Sequence, residues 1–454
     1  MKAAKKYSYW IQSSKFTAIT KFSILFFGIL SFIILARVLG PSDFGVWGLF
    51  MTISSITETA RISLIRNAFI RFTNQTETHE HAGLQASAFT LSFLVSIILA
   101  LCFFGLSNQI AIWLKAPGLD VMLRWYSLAL LINTVFAHCE MTSIANMDFR
   151  SVTFMYVSRQ IILLGLIVFC WLFKITLYPE SLAIFYLLSI VGGCIVGLKV
   201  VARYLQWDIK SYKKWSGQMW RFGRFVFGTN ISSLLFRSTG NFLTSAYIST
   251  AASAFYNAST RISNMVDMPS QVLADVAFTK AAQIDSGNKA AIKNMYEKTV
   301  GAILTFSIPA LLFLLIFPSF VLRLLAGEAF EAAAPVLRIA AFFGFVLPFL
   351  KQYGTIMDAT GHPHINFRTN FLAFILNVVF NLLGIYFWGF IGAAIGTAVT
   401  YFIIFIITQW ILYRKYEISW IRVFKNAFIF YGKLTSMVRK YSSAKLLKAR
   451  GLNY

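Results

Sequence analysis

The chain has 454 residues, of which 58% are hydrophobic and 13% charged; a soluble domain carries about twice that charged share. Lysine and arginine outnumber aspartate and glutamate by 41 to 17, a formal net charge of +24. That surplus lies in the gaps between long apolar segments and forms no separate basic module. It argues against a nucleic-acid partner and reads as the loop charge of a membrane protein.

The pattern predicts an all-α polytopic membrane protein of about twelve spans, each about 20 residues long, enough for a helix to cross a bilayer. The clearest apolar segments are Lys21–Leu39, Leu91–Leu106, Val121–Ala137, Ile161–Phe173, Ala183–Val201, Thr299–Phe320 and Phe371–Phe387. Lys2, Lys5 and Lys6 precede the first span, and no small-residue cleavage site follows it, so it is read as a retained helix. Lys21, Gly28 and Ser31 share one face of that span; Ser54, Glu58 and Arg61 share a face of the second. Lys21 and Arg61 fall near the cytoplasmic end, where a long basic side chain either snorkels to the interface or lines a cavity. In the fourth span His138 and Glu140 are expected to contact loops, and the fifth carries Arg159.

The gap from Tyr204 to Arg221 interleaves Trp207, Tyr212, Trp215, Met219 and Phe222 with Lys210, Lys213, Lys214 and Arg221. It predicts an amphipathic helix on the inner leaflet. The seventh span carries Asn230, Ser233, Arg237, Asn241 and Thr244 at i, i+3, i+7, i+11 and i+14, one helical face. The eighth carries Asn257, Arg261, Asn264, Gln271 and Asp275 in the same manner. Arg237 and Arg261 share roughly one depth at 1.5 Å rise per residue. Such groups must face a wet cavity or partners. Two readings stand: an anion-binding cavity, or structural ion pairs with Asp267 or Asp275. The tail repeats the amphipathic pattern, with Trp420, Val423, Phe424, Phe428 and Tyr431 opposite Arg422, Lys425 and Lys433.

Assigning the gaps alternately to two sides puts most basic residues on one, including both termini, which are therefore expected in the cytoplasm. The halves echo each other. Met147-Asp148-Phe149-Arg150 precedes a span ending in Leu163-Leu164-Gly165, and Ile365-Asn366-Phe367-Arg368 precedes one ending in Leu382-Leu383-Gly384. Parallel repeats of this kind suit transporters whose substrate crosses between the halves. The expected organisation is a six-helix lobe over 1–205, a linker over 206–221, a second six-helix lobe over 222–413 and a basic tail over 414–454. Cys102, Cys139, Cys170 and Cys194 form no CxxC pair and are read as small buried hydrophobes. No HExxH or GxxxxGK[ST] pattern occurs, so neither metal, cofactor nor ATP hydrolysis is expected.

The run Leu35-Ala36-Arg37-Val38-Leu39-Gly40-Pro41-Ser42-Asp43-Phe44-Gly45-Val46-Trp47 resembles the first-to-second helix junction of polysaccharide biosynthesis proteins of the oligosaccharide (O-antigen) flippase type. The similarity extends from about Phe16 to Tyr413 through spacing and repeats. These proteins belong to the multidrug/oligosaccharidyl-lipid/polysaccharide exporter superfamily, with drug extruders and lipid II flippases. The resemblance implies two six-helix lobes, a cationic cavity, and passage of undecaprenyl-pyrophosphate-linked oligosaccharide across the bacterial inner membrane. Its partners are then that lipid-linked oligosaccharide and membrane lipids; a polysaccharide polymerase and a chain-length regulator are further candidates.

The residues expected to hold the anionic substrate are Arg237, Arg261, Arg61 and Lys21, with Asn230, Asn241, Asn257, Asn264 and Gln271 for its sugars. Glu58 and Asp267, at matching positions in the halves, are the carboxylates suited to ion coupling. A cation or drug antiporter of the same fold is the first alternative, but it would want carboxylates to dominate the cavity. A membrane-embedded polysaccharide polymerase or glycosyltransferase is the second; it would want a large loop or an acidic catalytic cluster.

Overall fold

The structure is a computed structural model that describes residues 2–73, 75–208, 212–267 and 288–432. The ordered elements among them are helical, and no strand occurs in the described residues. The chain forms two compact units: Met1–Asn257 with Arg323–Glu331, and Ala258–Leu322 with Ala332–Tyr454.

The first unit opens with α1, Lys2–Thr73, whose 72 residues break at Gly40. Gly40 has φ +71°, a left-handed conformation that a side chain would resist, and Pro41 withholds the next amide from the ladder. The break turns one apolar run into two arms, each long enough to cross a bilayer. There follow α2 (His81–Trp113), α3 (Leu119–Ala145), α4 (Phe149–Leu172), α5 (Pro179–Val201), α6 (Tyr212–Tyr247) and α7 (Thr250–Val266), whose first turns belong to this unit. α3 packs on α2 and α5, α4 on α5 and α1, and α6 along α1 and α2. Phe50 meets Tyr126 and Tyr186 edge-on, at 5.8 and 5.5 Å between ring centroids, inside this bundle. Outside, Leu94, Ile98, Leu101 and Phe104 of α2 are exposed, as side chains bound for lipid should be. Cys139, Cys170 and Cys194 are buried, but Cys102 lies on the exposed face of α2.

Two expectations change here. The basic gap before the seventh span does not make a separate surface helix: α6 begins at Tyr212 and runs unbroken to Tyr247. Trp215 and Met219 pack on Leu64, Ile65, Ala68 and Phe69 inside the bundle, whereas Trp207 is exposed. His138 and Glu140 do not contact loops. Both are buried, His138 with Phe89 edge-on at 5.3 Å, because the C-terminal half of α3 packs inside the bundle.

The second unit contains the end of α7, then α8 (Lys289–Ile316), the start of α9 (Pro318–Ala326), α10 (Ala334–Gly344), α11 (Leu347–Ala359) and α12 (Pro363–Tyr416); α9 passes into the first unit from Arg323. Tyr296, Val300, Leu304, Phe349, Tyr353 and Leu412 form its core, which Val423 and Ala427 of a terminal helix over 420–432 complete. α12 breaks at Trp388 and Gly389, and its arms then approach until Gly384 and Gly392 touch: a Cβ on Gly392 would lie 1.8 Å from the Gly384 carbonyl oxygen. Such contact between small residues is how helices pack without help from water.

Asp148 and Asn366, equivalent in the sequence repeat, do different work. Asp148 caps α4, accepting from the Ser151 amide at 3.2 Å. Asn366 sits inside α12 and donates to the Asp358 carboxylate at 2.9 and 3.0 Å.

Candidate functional site

The polar groups at membrane depth fall into three sets. The first is a buried charge network inside the first unit. Arg61 is 2% exposed; its Nη2 donates to Glu58 Oε2 at 2.5 Å and to the Asn133 carbonyl at 3.4 Å. The Tyr126 hydroxyl donates to Glu58 Oε1 at 3.4 Å. One turn of α1 beyond, Arg66 Nη1 donates to Glu140 Oε1 at 3.2 Å. Arg61 therefore does not snorkel. The spacing of Glu58 and Arg61 puts them on one face, and that face turns towards α3. Nε and Nη1 of Arg61, Ser54 Oγ and Asn133 Oδ1 are buried without a hydrogen-bond partner among the described residues, a set of donors and acceptors that suits a small polar guest.

The second set is the α6 stripe. Asn230 Nδ2 donates to Ser63 Oγ of α1 at 2.8 Å. Asn241 is buried, and its carbonyl accepts from Ser253 Oγ at 3.0 Å, which seats the start of α7. Arg237, between them, is exposed. Asn257 lies beside Gly48, with Nδ2 at 3.4 Å from where a Cβ would stand. Lys21 is exposed on the first arm of α1.

The third set belongs to the second unit. Arg261 is half-buried and Asn264 exposed. Asp267 is ion-paired with Lys351 of α11, a residue the sequence reading passed over because it stands alone in an apolar run. Gln271 and Asp275 lie outside the described residues. Arg237 and Arg261, expected as a pair, thus fall in different units. The sequence also passed over Asn133, Tyr126 and Tyr186, whose roles depend on which helices adjoin. No group of three or more potential metal ligands occurs among the described residues.

Residues 34–335 match the family model for polysaccharide biosynthesis proteins. The chain belongs to the polysaccharide biosynthesis protein family. Among its relatives, an uncharacterized membrane protein of Methanocaldococcus jannaschii is 25% identical over 55% of this chain, and the match spans about half, 51%, of that relative's length. The lipopolysaccharide biosynthesis protein WzxC of Escherichia coli is 21% identical over 97% of this chain and 88% of its own. Two solved structures share the fold at 13% identity. An inward-facing multidrug resistance transporter of the MATE family superposes with a TM-score of 0.75, covering 87% of this chain and 96% of its own. The lipid II flippase MurJ, in an inward closed conformation, gives 0.72 with 92% of both chains covered. Like these transporters, this member of the polysaccharide biosynthesis family is a multi-pass, all-helical membrane protein.

Proposed function

We propose that this protein is a flippase that moves undecaprenyl-pyrophosphate-linked oligosaccharide across the bacterial inner membrane, with both termini in the cytoplasm. The observation that carries the reading is a surplus of guanidinium groups at membrane depth in a polysaccharide biosynthesis protein. Arg61, Arg66, Arg159, Arg237 and Arg261, with Lys351, stand against Glu58, Glu140, Asp267, Glu297 and Asp358 within the described helices, and Lys351 already neutralises Asp267. A cationic interior attracts pyrophosphate and repels organic cations. The chain acts as a transporter rather than an enzyme. Two six-helix lobes, over 1–205 and 222–413, rock to expose the substrate alternately, while the polyprenyl tail stays in lipid. Arg237 and Arg261 grip the head group with Lys21; Asn230, Asn241, Asn257, Asn264 and Gln271 meet sugar hydroxyls. Glu58 and Asp267 are the carboxylates for ion coupling, and each must first release its present cation. A polymerase and a chain-length regulator would receive the product.

The test is transport itself. Purified protein in liposomes should translocate a labelled undecaprenyl-pyrophosphate sugar without added ATP. A deletion strain should accumulate lipid-linked oligosaccharide on the inner face and lose its surface polymer. Proteoliposomes that exchange protons for a cationic dye and leave the lipid-linked sugar unmoved would establish the antiporter reading instead.

A further inference from the structure

Three arginines lie inside the first unit's bundle, and their partners are unequal. Arg61 has Glu58 and Arg66 has Glu140. Arg159 has no carboxylate within ion-pair distance among the described residues. It is the eleventh of the 24 residues of α4, about 15 Å along the helix axis from its first turn. That is near the middle of a hydrocarbon layer about 30 Å thick.

What touches the Arg159 guanidinium is aromatic, while the Glu58 carboxylate and the Tyr156 hydroxyl act on it from farther away. Its guanidinium carbon lies 5.5 Å from the centre of the Phe136 ring on α3 and 5.0 Å from that of Tyr186 on α5. The Tyr186 hydroxyl also interacts with it. Gly193 of α5 makes room for the stem, since a Cβ there would stand 3.4 Å from Arg159 Cβ. Ring contacts of this kind draw on the charge and fix the plane of the group. They leave most of the N–H donors along its edge for another acceptor. The residue as a whole is only partly buried. A rigid guanidinium with a free edge in a low-dielectric setting is suited to a phosphoryl group, which it binds bidentately.

We propose that Arg159 binds a phosphoryl group of the substrate's pyrophosphate, with Phe136 and Tyr186 holding the fork in position. The assignment rests on the flippase reading and places a ligand on the fifth span, away from the two polar stripes. A membrane phospholipid carries the same phosphoryl chemistry, so the experiment separates the sources. Full-length protein in detergent is titrated with undecaprenyl pyrophosphate, and separately with phosphatidylglycerol, with inorganic pyrophosphate as competitor. Wild type should bind undecaprenyl pyrophosphate and be competed by inorganic pyrophosphate. Arg159→Gln should lose at least tenfold in that affinity, and the competition with it, whether or not phosphatidylglycerol binding also falls. Arg159→Lys keeps the charge without the fork and should lose severalfold. It also decides the matter if the glutamine variant fails to fold, since unchanged affinity there overturns the assignment. Unchanged affinity in a folded Arg159→Gln overturns it equally, and a loss confined to phosphatidylglycerol marks a lipid site instead. If wild type itself does not bind undecaprenyl pyrophosphate, the flippase reading falls and takes this one with it.

Discussion

At the scale of single residues, burial separates arginines that hold the fold from those whose loss should touch function first. Arg61 is enclosed and paired, so replacing it alone strands the Glu58 carboxylate, a change that costs about 3–5 kcal/mol in buried pairs. Arg61→Met should lower the melting temperature and the yield of membrane protein, and Glu58→Gln added to it should restore much of both. Recovery of stability without transport would leave Arg61 a part in function as well. Arg237 is exposed, so Arg237→Ala should insert and melt like wild type while abolishing complementation of a transport-null strain. Arg261→Ala should likewise abolish complementation, and lysine at either site should rescue in part. Full complementation by either alanine variant removes that residue from the ligand set. The sequence placed Glu58 and Arg61 on one face because helical neighbours three apart follow from period alone. It could not place Tyr126 or the Asn133 carbonyl beside them, since those come from another helix. Lys351 was hidden for the same reason, 84 residues from its partner Asp267.

At the scale of elements, the junction at Gly40-Pro41 was legible, whereas the caps came only from the structure. Gly40-Pro41 marks the break in α1, and the Asp148 and Asn288 side chains cap α4 and α8. Less legible was how far α6 extends, because basic residues between aromatic ones fit a surface helix and a buried helix start alike. Burial pushes the Asp148 carboxyl up, but the Ser151 hydroxyl and the Arg203 guanidinium outweigh it and hold the group below the ordinary aspartate value of 3.8. A carboxyl with a lowered folded-state value stabilises above its unfolded value, and that contribution disappears as pH falls through the folded one. Wild type should therefore lose an increment of thermal stability only in strong acid, below the ordinary aspartate range. Asp148→Ala should lose about 1 kcal/mol of capping at neutral pH and show a smaller acid-dependent drop. Equal acid sensitivity in both proteins would assign the effect to another group.

At the scale of the whole molecule, the charge bias of the loops supplies the topology to be tested. Reporter fusions after Lys214 and after Arg414 should both read cytoplasmic, and one near Ser249 periplasmic. A periplasmic signal at Lys214 would remove the topology and the lobe assignment together. The buried charges also bear on how such a chain enters the bilayer at all. Glu58 and Arg61 stand three apart on one helix, so their charges can compensate each other as soon as that helix forms, before any other span arrives. Arg159 has no such companion on α4, and an arginine at a helix centre costs about 2.5–3.5 kcal/mol even by the lenient insertion measure. Of its two rings, Phe136 has already been synthesised when Arg159 emerges, but Tyr186 follows on α5. The fifth and sixth spans are therefore expected to enter the membrane as a couple; a fifth span that integrates fully when synthesis stops before Tyr186 would overturn this.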